Sequence, residues 1–172
     1  MAATTRISIP EATGSDLASR SFLAHQPEAL AAFNHLYGVL WSRGVVDQAT
    51  KEVARLRNAR VTGCGICRNL RFSGARQEGL TEERVELIRD GYEETDLPDR
   101  HKVVLRYTDA FLMAPGIPGE ALRAELAAHF SPEQIVELTA AIGLFLGFSK
   151  IAVALGNIPD GLPVMVVPTP AP

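Results

Sequence analysis

With only two cysteines in 172 residues, the chain cannot be held together by a disulfide framework, so its stability must come from a buried core. Charge of neither sign dominates. The 17 Lys and Arg residues against 20 Asp and Glu leave a net charge of −3, which offers no electrostatic footprint for nucleic acid or an anionic membrane. No segment alternates at the two-residue period of a strand for long enough to build a sheet, and no internal repeat is evident. Residues Met1 to Arg20 lack the apolar core of a signal peptide. The longest apolar stretch, Ile135 to Leu155, is interrupted by Glu137, Lys150 and glycines, which favours a buried helix over a membrane span. The histidines, His25, His35, His101 and His129, are scattered without ligand spacing, so no metal and no cofactor is expected. These absences point to a cytoplasmic protein.

What is present reads as helix. At 47% hydrophobic and 22% charged residues the composition is that of a globular chain, and the length suits one domain. Residues 1–26, rich in Ser, Thr, Ala and Gly, form an N-terminal arm; 27–158 form the helical domain; 159–172 form a proline-rich tail, expected to run extended along a neighbouring subunit. Pro27 starts a helix to about Trp41, with Leu30, Phe33, Leu36, Tyr37 and Leu40 on one side. Asp47 caps a second, running to about Val61 and broken by Thr62-Gly63. Further helices follow from Thr81 to Gly91, Asp99 to Met113 and Glu120 to Phe130. Ser131-Pro132-Glu133-Gln134 combines an N-cap, a first-turn proline and a capping-box glutamine ahead of a long helix to Leu155. That last helix is apolar nearly all round and has to be surrounded, by its own chain or by another subunit.

The chemistry concentrates in Glu52 to Leu80. Cys64 and Cys67, the only thiols, form a C-x-x-C pair within about one helical turn, close enough to make and break a disulfide. Residues Arg68 to Glu78 carry Leu70, Phe72 and Ala75 in a helical rhythm ending at Gly79, so the pair is expected at a helix N-terminus, where unpaired N–H groups favour thiolate.

Glu52, followed twelve positions on by Cys64-Gly65-Ile66-Cys67 and then by Gly79-Leu80-Thr81-Glu82-Glu83, resembles the alkylhydroperoxidase D-like branch of the carboxymuconolactone decarboxylase family. Phe130 to Thr139 and Ala154-Leu155-Gly156 are also similar to it, so the likeness runs over about Phe33 to Gly156. The resemblance implies an all-α fold of about seven helices that assembles as a homo-oligomer, commonly a trimer or hexamer. It also implies a thiol-dependent peroxidase-like enzyme that reduces a hydroperoxide and is recycled by an external thiol reductant. Carried over by position, Cys67 attacks the peroxide, Cys64 resolves the product to a disulfide, and Glu52 supplies the carboxylate. The sequence departs at position 71, where the family motif usually has histidine and this chain has arginine. Arginine stays charged and cannot serve as a base; Arg71 can pair with Glu52 if that side chain points back toward it. Either it lowers the Cys67 pKa by its fixed charge while water or Glu52 carries the proton, or the relay is broken and peroxidase activity is poor. The alternative is a non-redox, decarboxylase-like enzyme or a scaffold for a small organic acid; the cysteine pair favours the redox reading.

Overall fold

The computed structural model describes residues 7–8, 22–155 and 161–171; most of the N-terminal arm and the junction 156–160 lie outside the described residues. Among the described residues the chain is all-α, with α1 (Pro27–Ser42), α2 (Gln48–Thr62), α3 (Gly65–Asn69), α4 (Ser73–Gln77), α5 (Glu82–Glu86), α6 (Asp99–Leu112), α7 (Glu120–His129) and α8 (Pro132–Leu155). Most boundaries follow from local chemistry. The Asp47 carboxylate accepts the Thr50 N–H at 2.8 Å, and Gly63 closes α2 at φ 71°, a left-handed conformation that favours glycine. At the start of α8, the Ser131 hydroxyl accepts the Gln134 N–H at 3.3 Å while the Gln134 side chain accepts the Ser131 N–H at 3.0 Å.

The centre of the fold is α2, and its burial is not explained by apolar content. Every residue from Ala49 to Ala59 is buried, including Thr50, Lys51, Glu52, Arg55, Arg57 and Asn58. α8 and α6 pack against it, and Val53, Leu56, Val103, Val104, Leu138 and Ile142 meet in the main core. Each of these apolar side chains contributes about 1.5–3 kcal/mol on leaving water. The charged residues are accommodated by partners that replace the lost water. Lys51 Nζ donates to the carbonyls of Leu40 and Trp41 and to Glu137, at 2.9, 3.1 and 3.1 Å. Glu137 in turn accepts the N–H groups of Val45 and Val46. Arg57 donates to Asp109 and Asp90.

α8 turns Leu138, Ile142, Phe145, Ser149 and Ala152 inward, while Val136, Ile151 and Val153 remain exposed. It is long and apolar enough to cross a bilayer, but Glu137 ties it into the core through Lys51. Among the described residues, the chain covers only one side of this helix.

Two expectations change here. The helix expected from Arg68 to Glu78 is broken: α3 ends at Asn69, residues Leu70–Phe72 form strand β1, and α4 begins at Ser73. The reason lies far along the sequence. β1 pairs in parallel with β2 (Met165–Val167), Leu70 opposite Met165 and Phe72 opposite Val167. The proline-rich tail thus lies on its own chain, where the sequence suggested a neighbouring subunit. It is fastened further by Gly74 N–H to Thr169 Oγ1 at 3.2 Å and by Ser42 Oγ to the Pro170 carbonyl. This short ladder sets where the side chains of residues 70–72 point.

Candidate active site

Cys64 is the N-cap of α3, and its sulfur accepts the Cys67 N–H at 3.5 Å. The two sulfurs are 2.7 Å apart with both cysteines free, so closing a disulfide of about 2.0 Å requires only a small movement. Ala59, Phe22 and Ala152 pack around the pair. A helix of five residues offers less of a dipole than the expected eleven-residue one, and the thiols depend more on their neighbours.

The cation among those neighbours is Arg55, which the sequence analysis did not single out. Its side chain is fully buried and makes four hydrogen bonds: Nε to Glu52 Oε2 at 2.6 Å, Nη2 to Glu52 Oε1 at 2.5 Å, and one each to the carbonyls of Cys67 and Leu70 at 2.6 Å. The guanidinium also sits 5.1 Å from the Phe72 ring centroid and 5.6 Å from that of Phe145, so its plane is held on both edges and faces. One local signal existed, since an i, i+3 Glu–Arg pair on a helix shares a face. Burial of both partners had no such signal.

Glu52 is therefore brought to the dithiol, but not as a free base. Both oxygens accept from Arg55, and Oε1 also accepts the Phe72 N–H at 3.4 Å. Arg71 is placed elsewhere. Its guanidinium pairs with Glu82 at 3.1 Å and donates to the carbonyls of Arg68 and Leu70, so the expected Arg71–Glu52 pair is absent. The physical cause is the strand: on a continuous helix position 71 would share a face with Cys67, whereas in β1 it does not. His35 of α1 is exposed.

Behind the sulfurs, Asn58 Nδ2 donates to Ser149 Oγ at 3.0 Å and Ser149 Oγ donates to Cys67 Sγ at 3.7 Å. These surroundings set the acidity. The Cys64 thiol is brought down to about 7, first by its hydrogen bond with Cys67 and against the effect of burial, with the Cys67 N–H, Ser149 and Arg55 adding smaller contributions. The same shared proton, and then burial, push Cys67 up. The pair thus gives up one proton near neutral pH and retains the other.

Cys67 opens onto a cavity of about 680 Å³, whereas Cys64 does not line it. Phe33 and Tyr37 of α1, Phe72 of β1 and Phe145 and Phe148 of α8 wall the cavity, with Arg55 among its few polar groups. Residues Val167 to Ala171 of the tail complete the lining. Leu56 of α2 belongs to the main core and does not line the cavity. Among the described residues, no three His, Cys, Asp or Glu side chains converge to hold a metal ion.

The sequence model of the carboxymuconolactone decarboxylase family matches residues 27–108, the segment that carries Tyr37, Glu52, Arg55 and both cysteines. Over that segment, just under half of its length, the chain is similar to the carboxymuconolactone decarboxylase family. Among its relatives, the uncharacterized protein YdfG of Bacillus subtilis is 26% identical over 114 residues, covering 65% of this chain and 77% of that protein. An uncharacterized Mycobacterium tuberculosis protein is 32% identical over 126 residues, covering 73% of this chain but 44% of its own length, so the match spans less than half of that relative. In three dimensions, a protein of unknown function from Agrobacterium tumefaciens, described as a candidate antioxidant defence protein AhpD, superposes with a TM-score of 0.70. It is 24% identical, and the match covers 83% of this chain and 97% of that one, a likeness that establishes the AhpD-like fold. In this chain the glutamate and the C-x-x-C pair are surrounded by Arg55, Ser149 and Asn58.

Proposed function

We propose that the protein is a thiol-dependent peroxidase-like oxidoreductase in which Cys67 and Cys64 cycle between dithiol and disulfide. The observation that carries this reading is the adjacency of the two free sulfurs, 2.7 Å apart, with Cys67 alone opening onto the apolar cavity. The pair loses its first proton, that of Cys64, at about pH 7, and passage of the remaining proton from Cys67 to Cys64 across the 2.7 Å contact then puts the negative charge on Cys67. The Cys67 thiolate attacks the outer oxygen of a hydroperoxide; the O–O bond breaks, a sulfenic acid forms and an alkoxide leaves to take up a proton. The Cys64 thiol then attacks the sulfenic sulfur, the S–S bond forms and water departs. An external thiol reductant in a reducing cytoplasm restores the dithiol. Glu52 acts through Arg55, whose bonds to the Cys67 and Leu70 carbonyls hold the turn on which Cys67 sits. The role expected for Arg71 passes to Arg55, the cation that faces the sulfurs. The aromatic walls favour organic hydroperoxides over hydrogen peroxide. Exposed Val136, Ile151 and Val153 on α8 suit the homo-oligomer that the family resemblance implies.

Counting thiols before and after addition of cumene hydroperoxide tests the reading. The expected result is loss of two thiols per chain, abolished in Cys67→Ser; thiols that survive excess hydroperoxide would refute it.

A further inference from the structure

The mechanism above leaves one requirement unassigned: a donor for the alkoxide that departs as Cys67 is oxidised. The charged groups around the sulfurs do not meet it. Arg55 cannot give up a proton at working pH, and four of its N–H groups are committed to Glu52 and to two carbonyls. Glu52 has both oxygens on Arg55. Lys51 is committed to Glu137 and two carbonyls, and His35 is exposed. The Ser149 hydroxyl is directed at the Cys67 sulfur and does not line the cavity.

Tyr37 differs from all of these. Its ring lines the cavity together with Cys67 and Arg55 and is fixed edge-on by Trp41, Phe72 and Phe145, with centroids 4.9, 5.7 and 5.1 Å away. Its hydroxyl oxygen is buried and has no hydrogen-bond partner among the described residues. A buried hydroxyl without a partner costs stability and requires an explanation. The groups that act on it electrostatically are Arg55, Glu52 and Cys67, which places it at the dithiol end of the cavity. Burial holds its proton on well beyond the usual phenol range, so it remains a neutral donor across the working pH range.

We propose that Tyr37 is the catalytic proton donor of this site, its hydroxyl bonding the oxygen that leaves when Cys67 is oxidised and protonating it. The assignment rests on the peroxidase-like reading and extends it. As the O–O bond breaks, the electron pair goes to the leaving oxygen, the Tyr37 O–H bond breaks and the alcohol forms. The tyrosinate is reprotonated by the proton that the dithiol released to solvent on ionisation. The overall conversion is two thiols and a hydroperoxide to a disulfide, an alcohol and water. The phenol on α1 thereby provides the proton that a motif histidine four residues after Cys67 would otherwise handle.

The test is the rate of thiol loss in stopped flow for the full chain and for Tyr37→Phe, with two oxidants. Cumene hydroperoxide expels an alkoxide that needs a proton; peracetic acid expels a carboxylate that does not. The expected result is a loss of about 10²-fold with cumene hydroperoxide, a change within about twofold with peracetic acid, and a melting temperature no lower than that of the wild type. Equal slowing with both oxidants, or no slowing with either, overturns the assignment while leaving the dithiol chemistry standing. A lower melting temperature together with equal slowing marks Tyr37 as structural and likewise overturns it. Wild-type thiols that react with neither oxidant overturn the peroxidase-like reading itself, and this assignment with it.

Discussion

Replacing Arg55 tests whether the Glu52–Arg55 pair holds the site together. In Arg55→Gln the Glu52 carboxylate is left at 1% exposure with no cation, the Cys67 carbonyl loses the guanidinium donor, and the Leu70 carbonyl keeps that of Arg71. Stranding one member of a buried pair costs about 3–5 kcal/mol. An unsatisfied Cys67 carbonyl adds about 1–3 kcal/mol where the glutamine cannot reach it. Against a total stability of about 5–15 kcal/mol for a domain, this variant lies close to unfolding. Glu52→Gln should be milder. Arg55 keeps both backbone carbonyls and an amide oxygen, so the expected loss falls at or below the lower end of the same range, about 3 kcal/mol. The double variant removes both charges, and two buried amides can pair with each other. The two losses should therefore sum to more than the double variant shows, with a coupling of about 2–3 kcal/mol. Urea unfolding extrapolated to water, on all four proteins under reducing conditions, measures each quantity. If Glu52→Gln were as damaging as Arg55→Gln, or if the two losses simply added, the claim that Arg55 organises this turn would be wrong.

Arg71→Ala should leave the thiol titration at its wild-type midpoint. Its cost should be about 1 kcal/mol, since Glu82 is partly exposed and water screens that pair; iodoacetamide kinetics against pH and urea unfolding read the two effects. The alkylation rate of the wild-type protein should rise with pH through a midpoint of about 7. Because the folded Cys64 pKa is depressed, its contribution to stability is complete above the pKa of an unfolded thiol and is lost as pH falls through about 7. In Cys67→Ala, which removes the largest cause of that depression, the midpoint should move up towards that of an ordinary thiol. Gly44→Ala should destabilise the fold by about 2–4 kcal/mol, because the added methyl runs into the Glu137 carboxylate and dislodges it from Lys51 and from the Val45 and Val46 N–H groups. Thermal and urea unfolding would both register it.

The sequence by itself determined the helical frame and the identity of the reactive pair. Helix ends are local events: Asp47 meets Thr50, Gly63 accepts a positive φ, and Ser131 meets Gln134, each within a few residues of the boundary it marks. The C-x-x-C spacing likewise put two sulfurs side by side before any packing was known. Only the tertiary structure decided which charge faces them. Position 71 carries an arginine at helical spacing from Cys67, but β1 pairs with β2, in which Leu70 meets Met165, and that contact takes the backbone out of the helix and sends Arg71 to Glu82. Arg55 takes its place because burial of α2 by α6 and α8 forces each polar side chain on it to find a partner inside the protein. Tyr37 and Ser149 reach the site from helices at opposite ends of the chain, through long-range packing that no local pattern encodes.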